Sequence, residues 1–168
     1  MTARRRTGAG RPSRLHDVRM TALDALVHPP RWLRAFALLA FLAVAANLFW
    51  HGAQPYAVGA VPAPWDKLAH LLLYGGFSAA AWVALGGARP TADLLAPIVA
   101  VSVGLLDEYA QALNPGREVG IYDLFADAVG AVAAVLVLTA LRGLVRRRAD
   151  ARRATPRQRG SDRSSPAL

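Results

Sequence analysis

Three short patterns carry the groups able to do chemistry: Asp66-Lys67-x-x-His70-x-x-x-Tyr74, Glu108-x-x-Gln111-x-x-x-Pro115-Gly116-Arg117 and Asp123-x-x-x-Asp127-x-x-Gly130. Each lies close to one end of a long apolar run. Ionisable side chains within a hydrocarbon-spanning segment are costly and normally face a bundle interior or a wet cavity. Three such segments therefore predict one shared polar site, with Lys67, His70, Glu108, Arg117, Asp123 and Asp127 converging. The chemistry on offer is anion binding by Lys67 and Arg117, and proton transfer by Glu108 as general base with His70 as shuttle. A guanidinium in the tight Asn114-Pro115-Gly116 turn suits a forked contact to a carboxylate or phosphate, and Glu108 is the expected partner of Arg117.

Spacing supports the shared site. Asp66, His70 and Tyr74 recur at i, i+4, i+8 on one slowly drifting helix face, Glu108 and Gln111 share another, and Asp123, Asp127 and Gly130 a third. The same region holds the acids Asp66, Asp107, Glu108, Glu118, Asp123 and Asp127 against only Lys67 and Arg117, more negative charge than its own cations balance. Plainer roles compete. Asp66 and Asp123 stand where helix N-caps belong. His70 could simply donate to a neighbouring carbonyl or carboxylate, and Tyr74 could be a core aromatic with one satisfied hydroxyl. Asp107 and Glu118 read as interfacial and solvated. Glu108 and Asp127 resist such explanations, because they fall in span interiors where no cap is needed.

No familiar catalytic motif accompanies these groups. There is no Gly-x-Ser-x-Gly elbow, no phosphate-cradling loop and no readable Ser–His pair. His70, Glu108 and Asp127 are metal-ligating types, but no paired-His spacing exists and the chain has no Cys. The expectation is therefore no metal and no cofactor.

The elements that must position the site are transmembrane helices. Of 168 residues, 54% are apolar, and four spans can be read, at about Ala35 to Trp50, Leu68 to Leu85, Leu94 to Leu113 and Ile121 to Leu141. The expected architecture is all-α: a polytopic four-helix membrane bundle over residues 31–145, between a basic segment 1–30 and a disordered basic tail 146–168. Trp32 and Trp50 would anchor the first span at the interfaces, with Arg34 snorkelling. Pro97 falls near the start of the third span, where a missing N–H is tolerated. Gly130 and Ala134 form a small-xxx-small pair suited to close helix approach.

Nineteen of the twenty cations are Arg. Eight precede the first span, nine follow from Arg142 onward, and Arg89 lies in the short turn between the second and third. The positive-inside bias then puts both termini and that turn in the cytoplasm, residues 52–65 and 114–120 outside, and the polar site in the outer half of the membrane. The run Ala35–Val44 with Ala43-Val44-Ala45 also resembles a cleavable leader, but its basic region is long and Asn47-Leu48-Phe49-Trp50 continues the apolar run. The basic ends could recruit nucleic acid or anionic lipid, but topology retention with a disordered tail explains them better, and the tail has no interleaved aromatics for stacking on bases. Heavy use of Arg, Ala, Gly, Leu and Val suggests a GC-rich bacterial genome, and the expected location is the bacterial cytoplasmic membrane.

From about Val61 to Leu138 the chain resembles the VanZ-like family of small bacterial membrane proteins, named for a member associated with teicoplanin resistance. The resemblance rests on Pro64-Trp65-Asp66-Lys67-Leu68-Ala69-His70 leading to Tyr74, on Glu108-x-x-Gln111 and Pro115-Gly116-Arg117, and on Asp123-Leu124-Phe125-Ala126-Asp127-x-x-Gly130. Order and spacing on consecutive spans give the combined match its specificity. One position departs: the family usually has Asn where this chain has Asp127. The resemblance implies a membrane fold and a cell-envelope context more firmly than an activity.

Three functions compete. In the first, a non-enzymatic envelope protein binds or shields a lipid-linked precursor or an amphiphilic glycopeptide in a pocket lined by Asp66, Lys67, His70, Tyr74, Glu108, Gln111, Arg117, Asp123 and Asp127, altering glycopeptide susceptibility. In the second, an enzyme acts on an outer-leaflet lipid or envelope precursor, with Glu108 as general base, His70 as shuttle and Arg117 stabilising a phosphate or oxyanion. In the third, Asp127 and Glu108 titrate in an ion- or proton-coupled carrier, for which no inverted repeat is evident. The first reading is preferred.

Overall fold

The computed structural model describes residues 22–54, 56, 61–113 and 120–154. Five helices follow one another: α1 (Ala22–Val27), α2 (Arg31–Gly52), α3 (Trp65–Ala84), α4 (Pro90–Ala112) and α5 (Ile121–Ala154). No strand occurs among the described residues. Three of the helices, Arg31–Gly52, Pro90–Ala112 and Ile121–Ala151 within α5, are long and apolar enough to cross a membrane, so this is an all-helical membrane protein. At about 1.5 Å per residue, a 22-residue helix such as α2 spans roughly 33 Å, enough for a hydrocarbon core of about 30 Å.

The outer surface fits that solvent. Phe36 and Leu39 of α2, Leu94 and Leu105 of α4, and Leu136 of α5 are all more than half exposed, an apolar surface too extensive for a water-soluble chain. Trp50, Trp65, Tyr109 and Tyr122, all exposed near helix ends, are amphipathic rings of the kind found at membrane interfaces.

Helix α3 differs, with its polar side chains turned inward. Its 20 residues bury Tyr74, Phe77, Ser78 and Trp82, and its broadest contact is with α5. Backbones meet closely there. A Cβ on Gly130 would collide with the Leu71 carbonyl, and one on Gly75 would lie 3.2 Å from the Gly130 carbonyl and 3.9 Å from Ala134. The Gly130/Ala134 pair thus seats α5 on α3 as the sequence suggested. On α4, Ala92, Ala96, Ala100, Gly104 and Glu108 recur every four residues and are all buried, so small side chains admit the neighbouring helices and the stripe ends on a carboxylate.

The end opposite the polar patterns is clamped by charge. Arg142 of α5 donates twice to Asp93 of α4, at 3.0 and 2.7 Å, and the Trp82 indole N–H reaches Asp93 at 2.8 Å. Arg34 donates from Nε to the Ala84 carbonyl at 2.9 Å, satisfying a carbonyl left open at the end of α3. Gly86 and Gly87 turn the chain with positive φ of 102° and 66°, and Gly87 has the Val27 carbonyl of α1 against it.

Two boundaries differ from expectation. Residues 22–27, expected within the basic segment 1–30 and outside the bundle, form α1 because Leu26 and Val27 pack on the core. α5 continues past Leu141 to Ala154, so residues 146–154 of the expected disordered tail are helical. Residues 146–154 are almost all Arg and Ala, which have high helix propensity and propagate a helix already nucleated. Residues 1–21 and 155–168 lie outside the described residues.

Candidate functional site

The start of α3, the end of α4 and the start of α5 meet at one end of the bundle, bringing the three patterns together. Lys67 donates from Nζ to Asp66 at 2.8 Å and also to Asp123, tying α3 to α5. His70 Nδ1 lies 2.9 Å from Asp127 Oδ1. With Asp127 ionised its oxygen accepts only, and Nδ1 is then the donor of this bond. The imidazole stacks on Tyr74 at 5.8 Å between ring centres and 19° between planes, which fixes its rotation. Asp127 itself is wholly buried.

Glu108 enters from α4. Its Oε2 accepts the backbone N–H of Gly120 at 3.0 Å, just before α5 begins. One donor atom each from His70, Glu108 and Asp123 lies within 4.8 Å of the others. Two buried oxygens have no hydrogen-bond partner among the described residues, Glu108 Oε1 and Asp127 Oδ2. Native interiors pair nearly all such atoms, and two in one small region mark a place built for something other than packing. Gly104 makes room for Asp127, since a Cβ there would lie 2.6 Å from Asp127 Oδ2 and 3.3 Å from Tyr74 Cε1.

Lys67, His70, Glu108, Asp123 and Asp127 are therefore assembled, with Asp66 held on Lys67. Tyr74 and Gln111 fall to one side. The Tyr74 hydroxyl donates to Asp107 Oδ2 at 3.3 Å and Gln111 Nε2 donates to the same oxygen at 2.9 Å. Asp107 was expected to be interfacial and solvated; it is 2% exposed, because Tyr74 and Gln111 supply polar partners that make burial tolerable. Capping does not account for Asp66. Pro64 occupies the N-cap of α3, no side chain caps it, and Asp66 instead accepts from Lys67 N and Nζ. Arg117, with Asn114, Pro115, Gly116 and Glu118, lies outside the described residues.

Two positions were missed in the sequence. Gly104 looked like one more small residue in a span, yet it stands four residues before Glu108 on the buried stripe of α4. That four-residue series was the available signal, both for Gly104 and for the inward direction of Glu108. The Gly120 amide carried no signal, because backbone donors are invisible to motif reading.

On the far side of α3 runs an apolar groove of about 290 Å³ lined by Phe41 and Val44 of α2 and by Leu72, Gly76, Phe77 and Ala80 of α3. No family model matches the chain, and no curated protein or solved structure matches it at a significant level.

Proposed function

We propose that this is a VanZ-like protein of the bacterial cytoplasmic membrane, with α3 as a fourth span and both termini cytoplasmic, whose outward polar site binds or shields a lipid-linked or amphiphilic envelope molecule and thereby influences glycopeptide susceptibility. The observation that carries this reading is the pair of buried carboxylates, Glu108 and Asp127, each with an oxygen lacking a hydrogen-bond partner among the described residues, beside Lys67 and His70. Buried polar atoms held in that state are a standing cost, kept where a ligand meets them. Lys67, partly exposed beside these carboxylates, suits the anionic part of such a ligand.

Extraction in mild detergent followed by mass spectrometry tests the reading. A retained amphiphile, lost in Glu108→Gln, supports it; an empty protein from cells that make the envelope precursor overturns it. Expression in a sensitive bacterium should also shift lipoglycopeptide susceptibility, and Glu108→Gln should abolish the shift while the protein still accumulates. A second reading, an enzyme on an outer-leaflet lipid with Glu108 as general base and His70 as shuttle, is favoured by the Asp127–His70 hydrogen bond, which orients an imidazole as general acid–base sites do. Chemical change of the retained lipid on incubation would select it.

A further inference from the structure

We propose that His70, Glu108 and Asp123 form a binding site for one divalent first-row metal ion of the zinc or manganese kind. The three residues come from α3, α4 and α5, and one donor atom of each lies within 4.8 Å of the others. Three donors bonded to one ion at about 2.0–2.2 Å lie roughly 3–3.8 Å apart, so a pair at the 4.8 Å limit must close by about 1 Å or more to complete the set.

Two further features point to an ion. Glu108 is 5% exposed, and with Oε2 committed to Gly120 its Oε1 is buried without a hydrogen-bond partner among the described residues. A carboxylate oxygen so placed is left for an incoming cation or hydrogen-bond donor. His70 is also already arranged as a ligand. Its Nδ1–H is held by the wholly buried Asp127, which leaves the lone pair of Nε2 for the ion. Metal-bound histidines nearly always hand their second N–H to a carboxylate or carbonyl, fixing tautomer and ring orientation. Asp127 is accordingly a positioning residue.

The donor set selects the ion. One imidazole and two carboxylates, with no thiolate or thioether, suit zinc, manganese or ferrous iron rather than a soft ion such as cuprous copper. Three protein donors leave coordination positions open, which would take water or an anionic group. Lys67 competes, because its ammonium already reaches Asp123 and Asp66. The ion does not depend on the envelope ligand proposed above, and its readout is separate.

The test uses the full chain in mild detergent, stripped with chelator and titrated with zinc or manganese by calorimetry, with metal content read by mass spectrometry. One ion per chain is expected. His70→Ala, Glu108→Gln and Asp123→Asn should each weaken binding by about 100-fold or more, and Asp127→Asn, which keeps an acceptor oxygen, by about 10-fold. Cobalt(II) substituted for zinc should give visible bands that move in Asp127→Asn, which mere loosening of the fold would not produce. Asp150→Asn, at the exposed far end of α5, should leave binding unchanged. Lys67→Met should bind more tightly, a gain that misfolding cannot create. Failure of the wild type to take up either ion overturns the proposal, as does uptake undiminished by the three ligand substitutions. Uptake seen only in Lys67→Met would identify the Lys67 ammonium as the resident cation and would overturn it equally.

Discussion

Nδ1 of His70 lies 2.9 Å from Oδ1 of Asp127, a hydrogen bond from α3 to α5 whose acceptor is completely buried. It orients the imidazole toward Glu108 and Asp123, and so links the packing of two helices to the geometry of the polar site. Asn at this position would also present an acceptor oxygen to His70. What Asp127 adds is its second oxygen, Oδ2.

Substitutions at Asp127 should separate these roles. Asp127→Ala strands the His70 N–H and should cost about 1–2 kcal/mol, while Asp127→Asn keeps the acceptor and should cost less than about 1 kcal/mol. Thermal unfolding in detergent measures both. Equal losses would mean that the hydrogen bond contributes nothing to stability.

Gly104→Ala should be more damaging than its size suggests. The new methyl would lie 2.6 Å from Asp127 Oδ2 in a region with no room to yield, and overpacking of this sort costs about 1–3 kcal/mol. Gly76→Ala is the contrast, since nothing lies within 4 Å of its Cβ position, and it should be close to neutral. Combining Gly104→Ala with Asp127→Ala should recover part of the loss, because the two sites are coupled. Strict additivity in the unfolding data would rule out the clash.

The clamp at the other end makes an independent claim about stability. Asp93 and Arg142 side chains are 25% and 17% exposed and 2.7 Å apart at their closest. Losing either partner should cost about 2 kcal/mol by leaving the other charge poorly solvated. In a double-mutant cycle, Asp93→Ala with Arg142→Met should show coupling of about 1 kcal/mol or more. Zero coupling would reduce the clamp to two unrelated surface charges.

Orientation can be read with single cysteines, because the chain has none of its own. Ala53→Cys, just past α2 at the polar end, should react with a membrane-impermeant thiol reagent in intact cells. Thr91→Cys, at the start of α4 at the clamped end, should react only after lysis. The reverse pattern would invert the proposed topology and turn the polar site toward the cytoplasm.

The sequence by itself determined the four long helices, though not α1 or the full length of α5, and the end of the bundle at which the polar groups gather. Long apolar runs dictate helix in a membrane because backbone groups must bond within the segment, and the acids at Asp66, Glu108 and Asp123 sit near the ends of those runs whatever the packing. Burial of Glu108 and Asp127 was legible too, because neither stands where a cap or the interface explains it. Tertiary structure decided the partners. Asp107 and Glu108 are neighbours in sequence and both are buried, yet Asp107 turns to Tyr74 and Gln111 while Glu108 turns to Gly120 and the His70–Asp123 group. A step of about 100° between consecutive residues of a helix sends the two carboxylates to different neighbours. Which neighbour each meets depends on how α4 is rotated against α3 and α5. The depth of the Gly130 and Gly104 contacts sets that rotation, and no local pattern records it.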